Sequence, residues 1–385
     1  MYRSLLLFSM LLVLNFTFVT SGLSKENPHI LVDVNSGHIL SSNKANDRWY
    51  PASLTKLMTA YVTFRAIAAG EIKEGSPVVM SHQATRQPPS RLGYKKGVEL
   101  RIDTALKIII IKSANDVSYA LAEAVAGSLS GFVDRMNSEA RRLGLENTSF
   151  ANSNGLHSNS QYSSARDMAL LATRIFREFP QYAHMFEAVG IATPARKHYS
   201  YNLLLERFDG ANGMKTGFIC ASGYNMVASA TRNGRTLVAV VLGRSSQKDR
   251  AVSAAKLLNA GFKSGRTDES VFTSVGRGAK PINMRPILCT EQARAQRYDP
   301  GAGQAKINSP HLRARKISNN ILEIRTGGID AAASDAFLSR ALTPSGKVPV
   351  PMVRPNYNFA KGVIELVAIG KSATGNIPLP TPRPR

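Results

Sequence analysis

Ser53-Leu-Thr-Lys56 sets a hydroxyl and an amine three residues apart, at the start of a stretch whose apolar spacing predicts a helix over 51–68. Residues i and i+3 share a helical face, so Ser53 can attack and Lys56 can take its proton. A helix N-terminus also favours negative charge on an attacking oxygen. Lysine serves as a base only when burial and a neighbouring cation bring its pKa down from about 10.4 towards neutrality. Each unit of that shift is worth about 1.4 kcal/mol, so a specialised pocket is implied. The same spacing recurs at Ser41/Lys44, Ser245/Lys248 and Ser253/Lys256, and one match alone identifies nothing. Ser113-Ala-Asn115 supplies a hydroxyl to relay a proton to a leaving amine and an amide to hold a substrate. It equally fits an N-cap pair, and S-x-N recurs at Ser41/Asn43 and Ser318/Asn320. Lys215-Thr216-Gly217 is the only K-T-G in the chain. Its cation and hydroxyl suit a carboxylate, and its glycine lets a substrate backbone lie against a strand edge.

The elements that must position these residues can be read from pattern. His29–Val34, Asn35-Ser-Gly37 and His38–Leu40 predict a β-hairpin. Asp103 reads as the cap of an apolar run, Ala105–Ile111, that should form a buried helix. Further helices are predicted over 116–126, 132–143, 166–179 and 252–262. Lys215-Thr-Gly217 enters the first of three strands, and Asn233-Gly234 joins the runs 224–230 and 236–242 as a tight hairpin. Strands at both ends with helices between them predict α+β: an antiparallel sheet covered by helices. Twelve of the 19 prolines lie from Ser264 onward, where periodicity fades. Short strand-like runs survive there at 321–324 and 363–369. The region 266–385 therefore reads as a basic, Pro-rich, partly disordered appendage to a catalytic domain over 25–265.

Composition narrows the chemistry. With 43% hydrophobic residues among 385, the chain can bury a core. Two cysteines, Cys220 and Cys289, make no cysteine-rich zinc site, and no H-E-x-x-H or phosphate-binding glycine loop is present. No metal or cofactor is expected. The formal charge of +23 is spread along the chain with few interleaved aromatics, which fits an anionic polymer, lipid headgroups or a solubilising surface better than nucleic acid. Met1-Tyr-Arg3 followed by the apolar run Ser4–Val19 has the layout of a signal peptide over 1–22, with an uncleaved membrane anchor as the rival reading, and sets the mature protein outside the cytoplasm. In such a compartment a disulfide and two separate thiols are equally open.

Motif order and context together resemble the D-alanyl-D-alanine carboxypeptidases, the low-molecular-weight penicillin-binding proteins. The likeness runs over about 27–263. It rests on Tyr50-Pro-Ala-Ser53-Leu-Thr-Lys56, Ser113-Ala-Asn115-Asp116, Gly155-Leu156, Tyr162–Met168, and Gly213-Met-Lys215-Thr-Gly-Phe218 through Tyr224. The resemblance implies a penicillin-binding-protein fold and a Ser53 that attacks the D-Ala–D-Ala bond of a murein stem peptide. Lys56 would be its base, with Ser113 and Asn115 in the cleft. Lys215, Thr216, Gly217, Phe218 and Arg250 would bind substrate, the oxyanion hole using the amides of Ser53 and Phe218; Arg244 competes with Arg250. Penicillins should acylate Ser53. A murein endopeptidase, or a scaffold that binds murein or penicillin without turnover, is the alternative. A class A β-lactamase is disfavoured because neither Glu178 nor Glu187 sits in an E-x-x-x-N. The family's C-terminal amphipathic helix has no counterpart in the Pro-rich end, leaving the basic region as the candidate for peripheral contact with membrane or murein. Cys220, close to the oxyanion strand, reads as a buried structural thiol.

Overall fold

The computed structural model describes residues 27–265, 268–293 and 307–327. The chain divides into two units, 1–341 and 342–385, and every described residue lies in the first. The signal peptide expected over 1–22 and the strand-like run at 363–369 lie outside the described residues.

In chain order, β1 (His29–Asp33) and β2 (Ile39–Asn43) form a hairpin, and a 3-10 turn (Ala52–Leu54) runs into α1 (Thr55–Ala68). Then follow β3 (Pro77–Val79), α2 (His82–Thr85), β4 (Glu99–Arg101), α3 (Ile102–Ile111), α4 (Asn115–Ala126), α5 (Leu129–Leu143) and α6 (Ala165–Glu178). Short elements α7 (Ala183–Glu187), β5 (Gly190–Ala192) and β6 (Lys197–Tyr199) lead to β7 (Ala211–Ile219), β8 (Gly223–Arg232) and β9 (Arg235–Arg244). Last come α8 (Gln247–Gly261), α9 (Arg285–Leu288) and β10 (Ile321–Glu323).

Five strands make one antiparallel sheet in the order β2-β1-β9-β8-β7, so the N-terminal hairpin joins the C-terminal strands and β7 is an edge. Period-2 alternation assigns the faces. Ile30, Val32, Val227, Val238, Val240 and Leu242 enter the core shared with the helices. Leu31, Met226, Ala228, Leu237, Ala239 and Val241 pack instead with Ala251, Ala254, Ala255 and Leu258 of α8. The sheet is thus covered on both faces, and the fold is α+β. Asn233 and Gly234 both have positive φ, 51° and 74°, as the two-residue turn between β8 and β9 requires. Among the helices α1 is central: eleven of its fourteen residues are buried, and its polar Lys56, Thr59 and Thr63 find partners inside the protein.

Several expectations change. Asp103 does not cap α3; the helix begins at Ile102 with Arg101 as cap, and Asp103 stands in the first turn between Arg101 and Lys107. α8 begins at Gln247, five residues early, because Ser246 caps it by accepting from the Asp249 amide, and Arg250 comes inside the helix. Packing also continues beyond residue 265. Val271, Met284, Leu288 and Ile324 join the main core, and β10 pairs in parallel with β5. These buried residues are isolated, so no periodicity announces them. Cys220 is not a separate thiol: it is bonded to Cys289, with Cα atoms 5.7 Å apart.

Candidate active site

The Ser53 turn is wedged between two backbones that approach too closely for any side chain. A Cβ on Gly217 would lie 2.9 Å from the Ser53 nitrogen and 3.0 Å from the Pro51 carbonyl. A Cβ on Gly155 would lie 2.0 Å from the Ala52 carbonyl, at a backbone φ of +86° that favours glycine. Ala52 itself has a φ of +49°, an uncommon conformation for a residue with a Cβ, held here by its neighbours on both sides.

Lys56, in the first turn of α1, is completely buried. Its Nζ lies 3.1 Å from Ser53 Oγ, and it donates to Asn115 Oδ1 at 2.7 Å and to the Asn154 carbonyl at 2.5 Å. Burial, then the charge of Lys215, hold its pKa well below the usual lysine value, with Asp116 opposing them. The Asn115 Oδ1 faces Lys56, and one of its two Nδ2 protons goes to the Pro88 carbonyl at 2.9 Å. Geometrically it orients Lys56. Asn154 is pinned through its side chain to Gln87 and through its neighbour Ser153, whose carbonyl accepts from Thr59 and Ser118.

Ser113 sits between α3 and α4 with a φ of +63°, which turns its hydroxyl towards β7. Lys215 Nζ donates to Ser113 Oγ at 2.9 Å and to the Thr216 carbonyl at 3.0 Å. Burial and the charge of Arg250 bring Lys215 down to about 7. Lys215 and Gly217, two apart on β7, face Ser113 and Ser53 respectively, as strand alternation demands. Arg250 is buried, donating to the carbonyls of Gly217 at 3.3 Å and Tyr201 at 3.0 Å and lying 5.5 Å from the Tyr224 ring centre. Burial lowers it to about 10. Arg244, at the end of β9, has Asp249 as the counter-charge acting on it, and Arg250 is the arginine that meets the K-T-G strand. Phe218 packs on Tyr224, ring centres 4.3 Å apart.

The structure therefore brings Ser53, Lys56, Ser113, Asn115, Lys215, Gly217 and Arg250 into one connected cluster, with Thr216 and Phe218 on the same strand. The other S-x-x-K and S-x-N pairs stay outside it. Sequence reasoning missed Asn154, Asp116 and Tyr201. Two of these act through backbone carbonyls, which carry no side-chain signal; Asn154-Gly155 is legible only as a turn. Glu178 is engaged by Tyr61 at 2.6 Å.

Comparison with known proteins agrees with this geometry. The family model for D-alanyl-D-alanine carboxypeptidases (peptidase S11) matches residues 23–246. The chain is 37% identical over 239 residues to the D-alanyl-D-alanine carboxypeptidase DacA of Haemophilus influenzae, covering 61% of each chain. It thus spans about three fifths of the length of the curated relatives it matches. Among solved structures, penicillin binding protein 5 from H. influenzae superposes with a TM-score of 0.59 at 35% identity, over 62% of this chain and 71% of that one. Penicillin-binding protein D2 from Listeria monocytogenes, solved with ampicillin bound, gives 0.57 at 26% identity, over 62% of this chain and 97% of that one. The connected cluster and the matched stretch of 224 residues together place this chain in the D-alanyl-D-alanine carboxypeptidase family.

Proposed function

We propose that the chain is a serine-type D-alanyl-D-alanine carboxypeptidase that removes the terminal D-alanine from peptidoglycan stem pentapeptides. The observation that carries this reading is the buried Lys56 amine, 3.1 Å from Ser53 Oγ, with its basicity suppressed. In its neutral form Nζ keeps two protons for Asn115 Oδ1 and the Asn154 carbonyl and turns its lone pair to the Ser53 hydroxyl. Ser53 Oγ attacks the scissile carbonyl as its proton passes to Lys56. The amides of Ser53 and Phe218 receive the charge that develops on the carbonyl oxygen. Ser113, polarised by Lys215, gives its proton to the leaving amine and regains the one that Lys56 took from Ser53, the C–N bond breaks, and D-alanine departs with Lys56 neutral again. Water then attacks the acyl-enzyme, Lys56 taking its proton and returning it to Ser53 Oγ as the ester bond breaks.

The substrate strand lies along the open edge of β7, Gly217 admitting its backbone. Lys215 and Thr216 hold the terminal carboxylate, and Arg250 adds positive charge behind them. β-Lactams acylate the same serine, a reading supported by the likeness to the ampicillin-bound Listeria protein. The proposed substrate and the apolar run over 4–19 support a location in the periplasm or cell envelope. Among the described residues no helix is long and apolar enough to cross a membrane. Of the two peripheral contacts open to the basic C-terminal region, murein fits the proposed substrate.

Free D-alanine released from a murein pentapeptide tests the proposal, with Ser53→Ala measured alongside. Release by the wild type that falls at least about a thousandfold in the variant is expected. No release from folded wild type overturns the carboxypeptidase and leaves crosslinked murein as the next substrate to try.

A further inference from the structure

Residues 269–289 lie outside the stretch that matches the family model, yet they are bonded to residues 46–48 and 220–223, the runs that flank the two candidate oxyanion donors. The segment starts at the turn between β1 and β2, where the Ile39 amide donates to the Glu269 carbonyl and the Val271 amide to the Gly37 carbonyl. Phe272 fills the space over Gly37 beneath the guanidinium groups of Arg174 and Arg177. It then passes Asn147, which donates to the Gly276 carbonyl at 2.6 Å and accepts from the Gly278 amide at 3.0 Å. At residues 46–48 the approach is closest. A Cβ on Gly278 would lie 1.7 Å from the Asn46 carbonyl, the Ala279 amide donates to Asp47, and the Arg48 amide donates to the Ala279 carbonyl. The far end is fixed at the turn between β7 and β8. There the Met284 amide donates to the Ala221 carbonyl, Met284 and Leu288 close over Gly223, and Cys289 is bonded to Cys220.

Both anchorages lead directly to the site. Arg48 is five residues before Ser53, and Cys220 is two after Phe218. The two runs are also joined to each other, since Trp49 Nε1 donates to the Ser222 carbonyl at 2.8 Å and Asn225 Nδ2 to the Tyr50 carbonyl at 2.9 Å. Between Val271 and Met284 no residue of the segment is buried, and Val275 and Ile282 are more than half exposed. Between these two ends apolar packing does little to keep it in place, and at the far end the covalent bond adds to the burial of Met284 and Leu288.

We infer that the segment 269–289, locked by the Cys220–Cys289 disulfide, is a positioning strap that holds the Ser53 turn and the end of β7 in mutual register. The inference rests on the reading of Ser53 and Phe218 given above. It assigns no contact with substrate to the strap. An oxyanion hole works only when its donors stand where charge develops, so a small slip between the two backbones lowers the rate of acylation and leaves the Lys215 side of the site unaltered.

The single tryptophan, Trp49, lies on the junction and reports on it directly. The full-length folded protein is treated with a dithiol, which breaks the S–S bond, yields the two thiols and is itself oxidised to its cyclic disulfide. After removal of the dithiol, acylation by a fluorescent penicillin is followed by stopped flow, which separates the dissociation constant of the initial complex from the acylation rate constant. The expected result is a fall of about tenfold in the acylation rate constant, with the dissociation constant changed less than about twofold. Trp49 emission shifts to the red, far-UV circular dichroism is unchanged, and everything returns on reoxidation. Cys220→Ser/Cys289→Ser should behave as the reduced wild type. An acylation rate constant within twofold of the oxidised value overturns the strap. So does an unchanged Trp49 spectrum, and so does loss of the far-UV signal in step with activity, since that is a mere staple. Failure of the oxidised protein to react with penicillin strikes the reading of Ser53 instead, and the Trp49 spectrum then decides on the strap.

Discussion

Lys56, Lys215 and Arg250 form a row of buried basic groups, each depressing the basicity of the one before it. Positive charge in such a row is costly without an anion, which the carboxylate of the proposed substrate would supply. Lys215 makes the cost measurable. Its folded pKa of about 7 lies below the unfolded value of 10.5, so between those limits the unfolded chain holds a proton that the folded chain lacks. Stability therefore rises with pH across that window and is lowest below 7. Lys215→Met should stabilise the protein at pH 6 by on the order of 2 kcal/mol, with the gain shrinking towards pH 10, as read by urea unfolding at several pH values. Penicillin acylation in that variant should fall at least about a hundredfold. For the wild type, kcat/KM on a D-Ala-D-Ala peptide should decline as pH rises through about 7, where Lys215 loses its charge. A peptide amide lacking the terminal carboxylate should show a shallower decline, since only the polarisation of Ser113 by Lys215 is then lost.

At the scale of elements, the site is built by close backbone approaches. The 152–156 loop and β7 grip the Ser53 turn from two sides, and glycine is required at each point of contact. Gly155→Ala has to meet both a clash with the Ala52 carbonyl and a strained φ of +86°. It should cost about 2–4 kcal/mol in thermal or urea unfolding. At a temperature where the variant is still folded, acylation should fall more than tenfold, because the turn moves before the domain melts. A variant with lost stability and wild-type acylation would show that the turn tolerates displacement. The helix α8 acts at longer range: its Ser246 cap starts it early enough to bring Arg250 to the Gly217 carbonyl.

For the whole molecule, the boundary at residue 265 suggested by fading periodicity does not end the packed unit. Val271, Met284, Leu288 and Ile324 close over surfaces of the core that would otherwise be exposed. Burying each apolar side chain contributes about 1.5–3 kcal/mol before the cost of ordering the backbone. A chain ending at Gly265 should therefore melt about 5–10 °C below the full chain, measured by calorimetry under oxidising conditions. An unchanged Tm would mean that the C-terminal segment contributes no net stability.

Residue types and local periods sufficed to derive the hairpin at 29–43, the helices of the core, the Asn233-Gly234 turn and the order of the three motifs. Each depends on interactions within a few residues, where side-chain period and turn chemistry act directly. Ser53/Lys56 and Lys215-Thr216-Gly217 were legible for the same reason, since i,i+3 spacing and strand alternation are local rules. Tertiary structure decided the rest. Only the folded chain selects one S-x-x-K from four, through the burial of Lys56 against Asn115 and the Asn154 carbonyl. Only the sheet order makes β7 an edge and sets Arg250, not Arg244, against it. Only packing pairs Cys220 with Cys289 across 69 residues. These outcomes depend on contacts between distant parts of the chain and on backbone carbonyls, which leave no mark in residue identity.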